Sequence, residues 1–146
     1  MAHITEIRVH WADTDKAGIV HHANFFRWFE EAEIELFRES GKTRKRMAED
    51  SDTATPRLSV RCDYFFPAYY DEIVEVRTAV LKVSEKTYHL RHEVHRPADG
   101  KRLATGEVVV CCVRAGEDGT FQSHPLSEEM VAALRRYSIS EGEGAS

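Results

Sequence analysis

A chain of 146 residues with 42% hydrophobic and 31% charged side chains has the size and composition of one globular domain, able to bury roughly two-thirds of its unfolded surface. No apolar run approaches the roughly 20 residues that span a bilayer, and the start MAHITEIRVHW has no basic-then-apolar signal pattern; a membrane partner is not expected, and the cytoplasm is the expected compartment. A formal charge of -5 argues against nucleic acid as a partner. The three cysteines, two of them adjacent, suggest neither a disulfide scaffold nor a C-x-x-C metal site.

In chain order, Ile4 to Trp11 alternates with strand period, Ile7, Val9 and Trp11 on one side and Glu6, Arg8 and His10 on the other. The turn ADTDKAG follows, then IVHH leads to Asn24, a plausible helix cap. From Phe25 the positions Phe25, Trp28, Phe29, Ala32 and Leu36 recur at spacings of three and four, which predicts a long amphipathic helix stopped at Gly41. Lys42 to Pro56 reads as a charged surface connection with a short helix around Arg44 to Glu49.

Beyond it the period is two. Leu58, Val60, Cys62, Tyr64 and Phe66 share one face of a strand; Val74, Val76 and Val80 mark the next. A third has Tyr88, Leu90 and Val94 on one side and Thr87, His89, Arg91, Glu93 and His95 on the other. The three histidines His89, His92 and His95 are read as half-exposed surface. The last strand, Arg102 to Arg114, is apolar on both faces over Val108 to Val113 and is expected inside the sheet. Ser127 opens a short helix carrying Met130, Val131 and Leu134. Residues 1–137 are expected to form the domain and residues 138–146 a disordered tail. The order strand, long helix, four strands, short helix predicts an α+β fold, an antiparallel five-stranded sheet curled around one helix, whose open edges favour pairing with a second copy.

The turn ahead of the helix suggests chemistry. It holds Asp13, Asp15 and Gly18 before a helix start, where unpaired N–H groups and a partial positive charge can hold a developing oxyanion. Aspartate is also a favoured turn residue, and Asp13 is better suited to holding the turn backbone than to reacting. His21 and His22 as metal ligands find no supporting spacing, so no metal or cofactor is expected.

The residues DTDKAGIVHHANFFRWFE resemble the signature of hotdog-fold acyl-CoA thioesterases of the 4-hydroxybenzoyl-CoA thioesterase and YbgC-like group, and the similarity runs on through CDYFFPAYYDEIVEV, ATGEVVVCCV and HPLSEEMVAAL. The resemblance implies a hotdog fold and hydrolysis of an acyl-CoA substrate. It places the essential carboxylate, as nucleophile or general base, on Asp15, and the N–H donors for the thioester carbonyl around His22, a histidine that points to the YbgC-like branch. It further implies substrate contacts at Gly18, an acid near the acyl pocket at Glu30, and contacts to the CoA phosphates at Lys86 and Thr87, with Arg91 a nearby candidate. A homodimer or homotetramer with the active site at the subunit interface is the implied assembly. Two other functions remain open at this point: a hydratase or dehydratase on the same fold, using a histidine paired with a carboxylate, and a non-catalytic acyl-CoA or acyl-carrier ligand-binding protein.

Overall fold

The computed structural model describes residues 1–39 and 53–139. Strand β1 (His3–Arg8) is followed by a single 3-10 turn (Trp11–Asp13), helix α1 (Asn24–Glu39), strands β2 (Thr53–Ala54), β3 (Arg57–Tyr64), β4 (Ile73–Val83), β5 (Thr87–Arg96), β6 (Lys101–Cys111), β7 (Val113–Ala115) and β8 (Phe121–Ser123), and helix α2 (Glu128–Arg136). Five strands form one antiparallel sheet in the order β1-β4-β5-β6-β3, the expected hotdog arrangement, with α1 across one face. A smaller sheet, β2-β7-β8, is an addition that the sequence pattern did not reveal.

Helix α1 forms where it does because its apolar stripe has somewhere to go. Phe25, Trp28, Phe29, Ala32, Leu36 and Phe37 are all at most 3% exposed, and burying each large side chain is worth about 1.5–3 kcal/mol. They meet Val74, Val76 and Val80 of β4, Leu90 and Val94 of β5, and Leu103 and Val108 of β6. Gly106 on β6 is dictated by this packing. A Cβ there would stand 2.2 Å from the Phe29 ring. Helix α2 is capped as predicted, the Ser127 Oγ accepting from the Met130 N–H at 3.2 Å.

The alternation within β5 puts Tyr88, Leu90, His92 and Val94 on the helix side. His92 is therefore fully buried, which corrects its reading as half-exposed surface. Strand β6 lies between β5 and β3, inside the sheet as expected, but it ends at Cys111, and the chain breaks step at Cys112 to enter the smaller sheet. Trp11 does not continue β1; the strand stops at Arg8 and Trp11 is 78% exposed. Asn24 is the first helical residue, and its side-chain amide donates to the Asp13 carbonyl at 2.8 Å instead of capping. The packed chain reaches Ile139, whose N–H donates to Val80 at 3.1 Å, two residues past the expected boundary. Gly41, the short helix expected at Arg44 to Glu49 and most of the expected tail lie outside the described residues.

The sheet has one unusual border. Strand β3 pairs with β6 alone, and along it Leu58 is 62%, Val60 49% and Tyr64 43% exposed. Its apolar alternation is present, as the sequence predicts, but nothing among the described residues covers it.

Candidate active site

The loop between β1 and α1 folds back on itself. Asp15 N–H donates to the Ile19 carbonyl at 2.9 Å, Gly18 N–H to the Asp15 carbonyl at 3.0 Å, and His21 N–H to the Asp13 carbonyl at 2.8 Å. Gly18 sits at φ +82°, in the left-handed region where a side chain is strained. Val20 N–H then donates to the Ala68 carbonyl at 2.9 Å and Ile19 bridges to Tyr69, which fixes the loop to the chain entering β4.

The two aspartates of the turn are used differently. Asp13 is 4% exposed, and its carboxylate accepts from the His10 N–H at 2.8 Å and from the Arg27 guanidinium of α1. It holds the turn, as its sequence context suggests. Asp15 is exposed, and its Oδ1 accepts from the Ala17 N–H at 2.8 Å; its Oδ2 takes no hydrogen bond among the described residues. One carboxylate oxygen is thus oriented and the other left open.

The helix start supplies the complementary donor. The N–H groups of Asn24, Phe25 and Phe26 donate to the carbonyls of His21, His22 and Ala23, and the Ala23 N–H donates to His21 Nδ1 at 3.2 Å. In the run from His21 to Phe26 the His22 N–H alone has no acceptor among the described residues. The His22 ring stacks on His21 at 4.3 Å, and its carbonyl accepts from the Tyr64 hydroxyl at 2.8 Å. The loop, the end of β3 and the first turn of α1 are therefore tied at one point, with a carboxylate oxygen and an amide on the same short loop that find no partner among the described residues.

Glu30 borders a different feature, a cavity of about 280 Å3 between α1 and the open edge of the sheet, bounded by Phe26, Phe29, Glu30 and Glu33 with Arg57 of β3 and His92 of β5. Its polar floor was not foreseen. Glu33 is 5% exposed, paired with Arg57 and accepting from the Tyr88 hydroxyl; burial pushes its carboxyl up from the ordinary range. The signal was present, since Glu33 falls between Phe29, Ala32 and Leu36, Phe37 on the apolar stripe, and His92 lies in phase with Tyr88 and Leu90.

The expected phosphate contacts are not gathered with Asp15 in one chain. Lys86 and Thr87 stand at the start of β5, whereas the Asp15 loop lies near its other end, where the Arg96 side chain donates to the Pro67 carbonyl at 3.1 Å. At about 3.4 Å per residue that separation is on the order of 30 Å. Arg91 is on the face of the sheet turned from α1.

Residues 9–134 match the family model described as the thioesterase-like superfamily. A putative esterase of Aquifex aeolicus is 32% identical over 117 residues, covering 80% of this chain and 89% of its own. An acyl-CoA thioesterase YbgC of Haemophilus influenzae is 30% identical over 111 residues, covering 76% and 80%. Among solved structures, the dynemicin thioesterase superposes with a TM-score of 0.87 over 96% of this chain and 99% of its own; at 20% identity this likeness shows the fold.

Proposed function

The chain belongs to the thioesterase-like superfamily, and from that premise we propose that it hydrolyses an acyl-CoA thioester to the free acid and CoA. The observation that carries the reading is the pairing, on one loop, of the oriented Asp15 carboxylate with the unengaged His22 N–H. The thioester carbonyl oxygen accepts from the His22 amide, at the positive end of α1, where charge developing on that oxygen is stabilised. Asp15 either takes the proton of a water that attacks the carbonyl carbon and passes it to the departing CoA thiolate, or attacks with its own carboxylate, expelling CoA and forming a mixed anhydride that water then cleaves to the free acid and the restored carboxylate. The named relatives include an acyl-CoA thioesterase, which agrees with this substrate class. A hydratase would need a histidine paired with a carboxylate, whereas the His22 ring lies against His21.

The working unit in this reading is a homodimer or larger homo-oligomer. The open, apolar edge of β3 favours strand pairing with a second copy, and such pairing sets a partner against the cavity that Arg57 and Val60 border. It also gives Lys86 and Thr87 of one copy the opportunity to meet CoA held at the loop of another, since one chain does not bring them together.

The test is thiol release from a panel of acyl-CoA thioesters, short aliphatic through long, with benzoyl, hydroxybenzoyl and phenylacetyl forms. Turnover of one of them supports the reading. No release from any of them, with CoA still bound, moves the assignment to a ligand-binding protein.

A further inference from the structure

The stretch between β3 and β4 that receives the Asp15 loop has almost no apolar hold on the domain. In residues 65–70 only Ala68 is buried. Yet the loop leans on this stretch: the Val20 N–H donates to the Ala68 carbonyl at 2.9 Å, Ile19 bridges to Tyr69, and the Asp15 N–H closes the turn on the Ile19 carbonyl at 2.9 Å. A segment with so few buried side chains opens locally at low cost unless polar contacts hold it. The place of Asp15 therefore depends on what holds residues 67–69.

Arg96, the last residue of β5, supplies that hold. Its side chain is only 12% exposed. Nη1 donates to the Pro67 carbonyl at 3.1 Å and lies 3.2 Å from Glu72 Oε2, and the same Oε2 accepts from the Tyr69 N–H at 2.9 Å. One guanidinium thus grips both sides of Ala68, directly at Pro67 and through Glu72 at Tyr69. The rest of the fork fixes the arginine itself. Nε and Nη2 donate to Asp99 Oδ2 at 3.1 and 3.0 Å, and Asp99 Oδ1 accepts from the Lys101 N–H at 3.1 Å. A planar guanidinium serves these partners at once in a rigid geometry, which a lysine ammonium cannot reproduce.

We propose that Arg96, acting with Glu72, is a positioning residue for thioester hydrolysis, holding residues 67–69 and through them the loop on which Asp15 and the His22 N–H meet the thioester. This inference rests on the thioesterase reading for the reaction whose groups are positioned. Arg96 acts through the backbone: from the Pro67 carbonyl and the Tyr69 N–H to Ala68, from Ala68 to Val20, and from Ile19 to Asp15. A displacement on the order of 1 Å at the reacting groups is enough to cost roughly a hundredfold in rate. The core does not share this dependence. Helix α1 and strands β4 to β6 are held by buried apolar side chains, so loss of the clamp is felt in the loop before it is felt in the fold.

The experiment is Arg96→Gln, with Arg96→Lys and Glu72→Gln beside it, followed by thiol release on the best substrate and by amide hydrogen exchange. Arg96→Gln should lower kcat by roughly tenfold or more with KM within about twofold of wild type, and Arg96→Lys should recover part of the loss. Exchange at the Asp15 and Val20 amides should quicken by roughly tenfold or more, whereas the Val80 and Ile139 amides, which donate to the Tyr137 and Val80 carbonyls, should keep their rates. If Arg96→Gln does not fold, Glu72→Gln, which loses the charge facing Arg96, should show the same pattern at smaller size. An arginine that only stabilised the fold would speed all four amides together, and one that gripped the ligand would raise KM with kcat intact; either result, or an unchanged kcat, overturns the inference. Failure to hydrolyse any thioester would refute the proposed activity separately. Exchange then decides: faster Asp15 and Val20 amides beside unchanged Val80 and Ile139 amides sustain the clamp, and unchanged loop amides overturn it.

Discussion

Asp13 and Asp15 sit two residues apart, and their different surroundings predict that exchanging each for asparagine separates stability from catalysis. In Asp13→Asn the side chain must still face the His10 N–H and the Arg27 guanidinium, both donors, where the carboxylate offers an acceptor to each. The amide has one acceptor oxygen, so one donor meets an NH2 group. Hydrogen bonds to a charged group contribute about 1.5–3 kcal/mol, and Arg27, 44% exposed, recovers part of its share from water and from Glu31. A net cost of about 2 kcal/mol is expected, a fall in Tm of roughly 4–8 °C for a chain of this size. Asp15→Asn keeps an oxygen for the Ala17 N–H, and the position is exposed, so its Tm should move by no more than about 1–2 °C. Its thioester hydrolysis should fall by roughly a hundredfold or more, the scale for removing a positioned acid or base. The assays are thermal melts at fixed protein concentration and thiol release on the best substrate. Wild-type hydrolysis by Asp15→Asn would refute the catalytic assignment; an Asp13→Asn protein as stable as wild type would refute the division of roles.

Other perturbations report on the framework. Gly106→Ala should cost about 1–3 kcal/mol by pushing Phe29 off its place, and Phe29→Leu in the same chain should return part of that loss in a denaturant titration. His92 has a folded pKa near 3, below its ordinary 6.5, so its contribution is complete above pH 6.5 and is lost as pH falls towards 3, by about 2 kcal/mol at pH 5. His92→Phe should therefore flatten the decline of stability between pH 7 and pH 5; Glu33, whose raised carboxyl acts in the opposite sense, remains in both proteins and cancels in the comparison. Val60→Lys on the open edge of β3 should convert an oligomer to monomer in light scattering and depress thiol release with it, and an oligomer of unchanged size would exclude pairing through this edge.

The element order and the main apolar faces were legible in the sequence because period is a local property. Helix α1 shows its stripe at Phe25, Trp28, Phe29, Ala32 and Leu36, and strands β4 to β6 show theirs. What period does not encode is whether a face finds a cover. Strand β3 alternates as well as its neighbours, yet it is the border of the sheet and its apolar residues are exposed. Trp11 continued the alternation of β1 on paper, but the 3-10 turn required to aim the Asp15 loop takes it out of the strand. Residue type misled where period was right. His92 lies in phase with buried neighbours, and its polarity suggested surface although Thr78 and Phe29 meet it in the fold; Glu33, also in phase with buried neighbours, was not singled out, because its partners Arg57 and Tyr88 are ones that only the fold brings near.

The loop itself was legible for a different reason. A turn with two acids can satisfy its backbone with one, and the helix start that follows offers more N–H groups than local carbonyls absorb. Asp13 is drawn inward by Arg27, which lies on the first turn of α1, so the charge that anchors the loop comes from the helix the loop introduces. The second acid remains exposed with one oxygen uncommitted, and the N–H left over at the helix start is that of His22. The same hydrogen bonds that make the turn stable therefore leave, among the described residues, the two groups to which the proposed thioester hydrolysis assigns its chemistry.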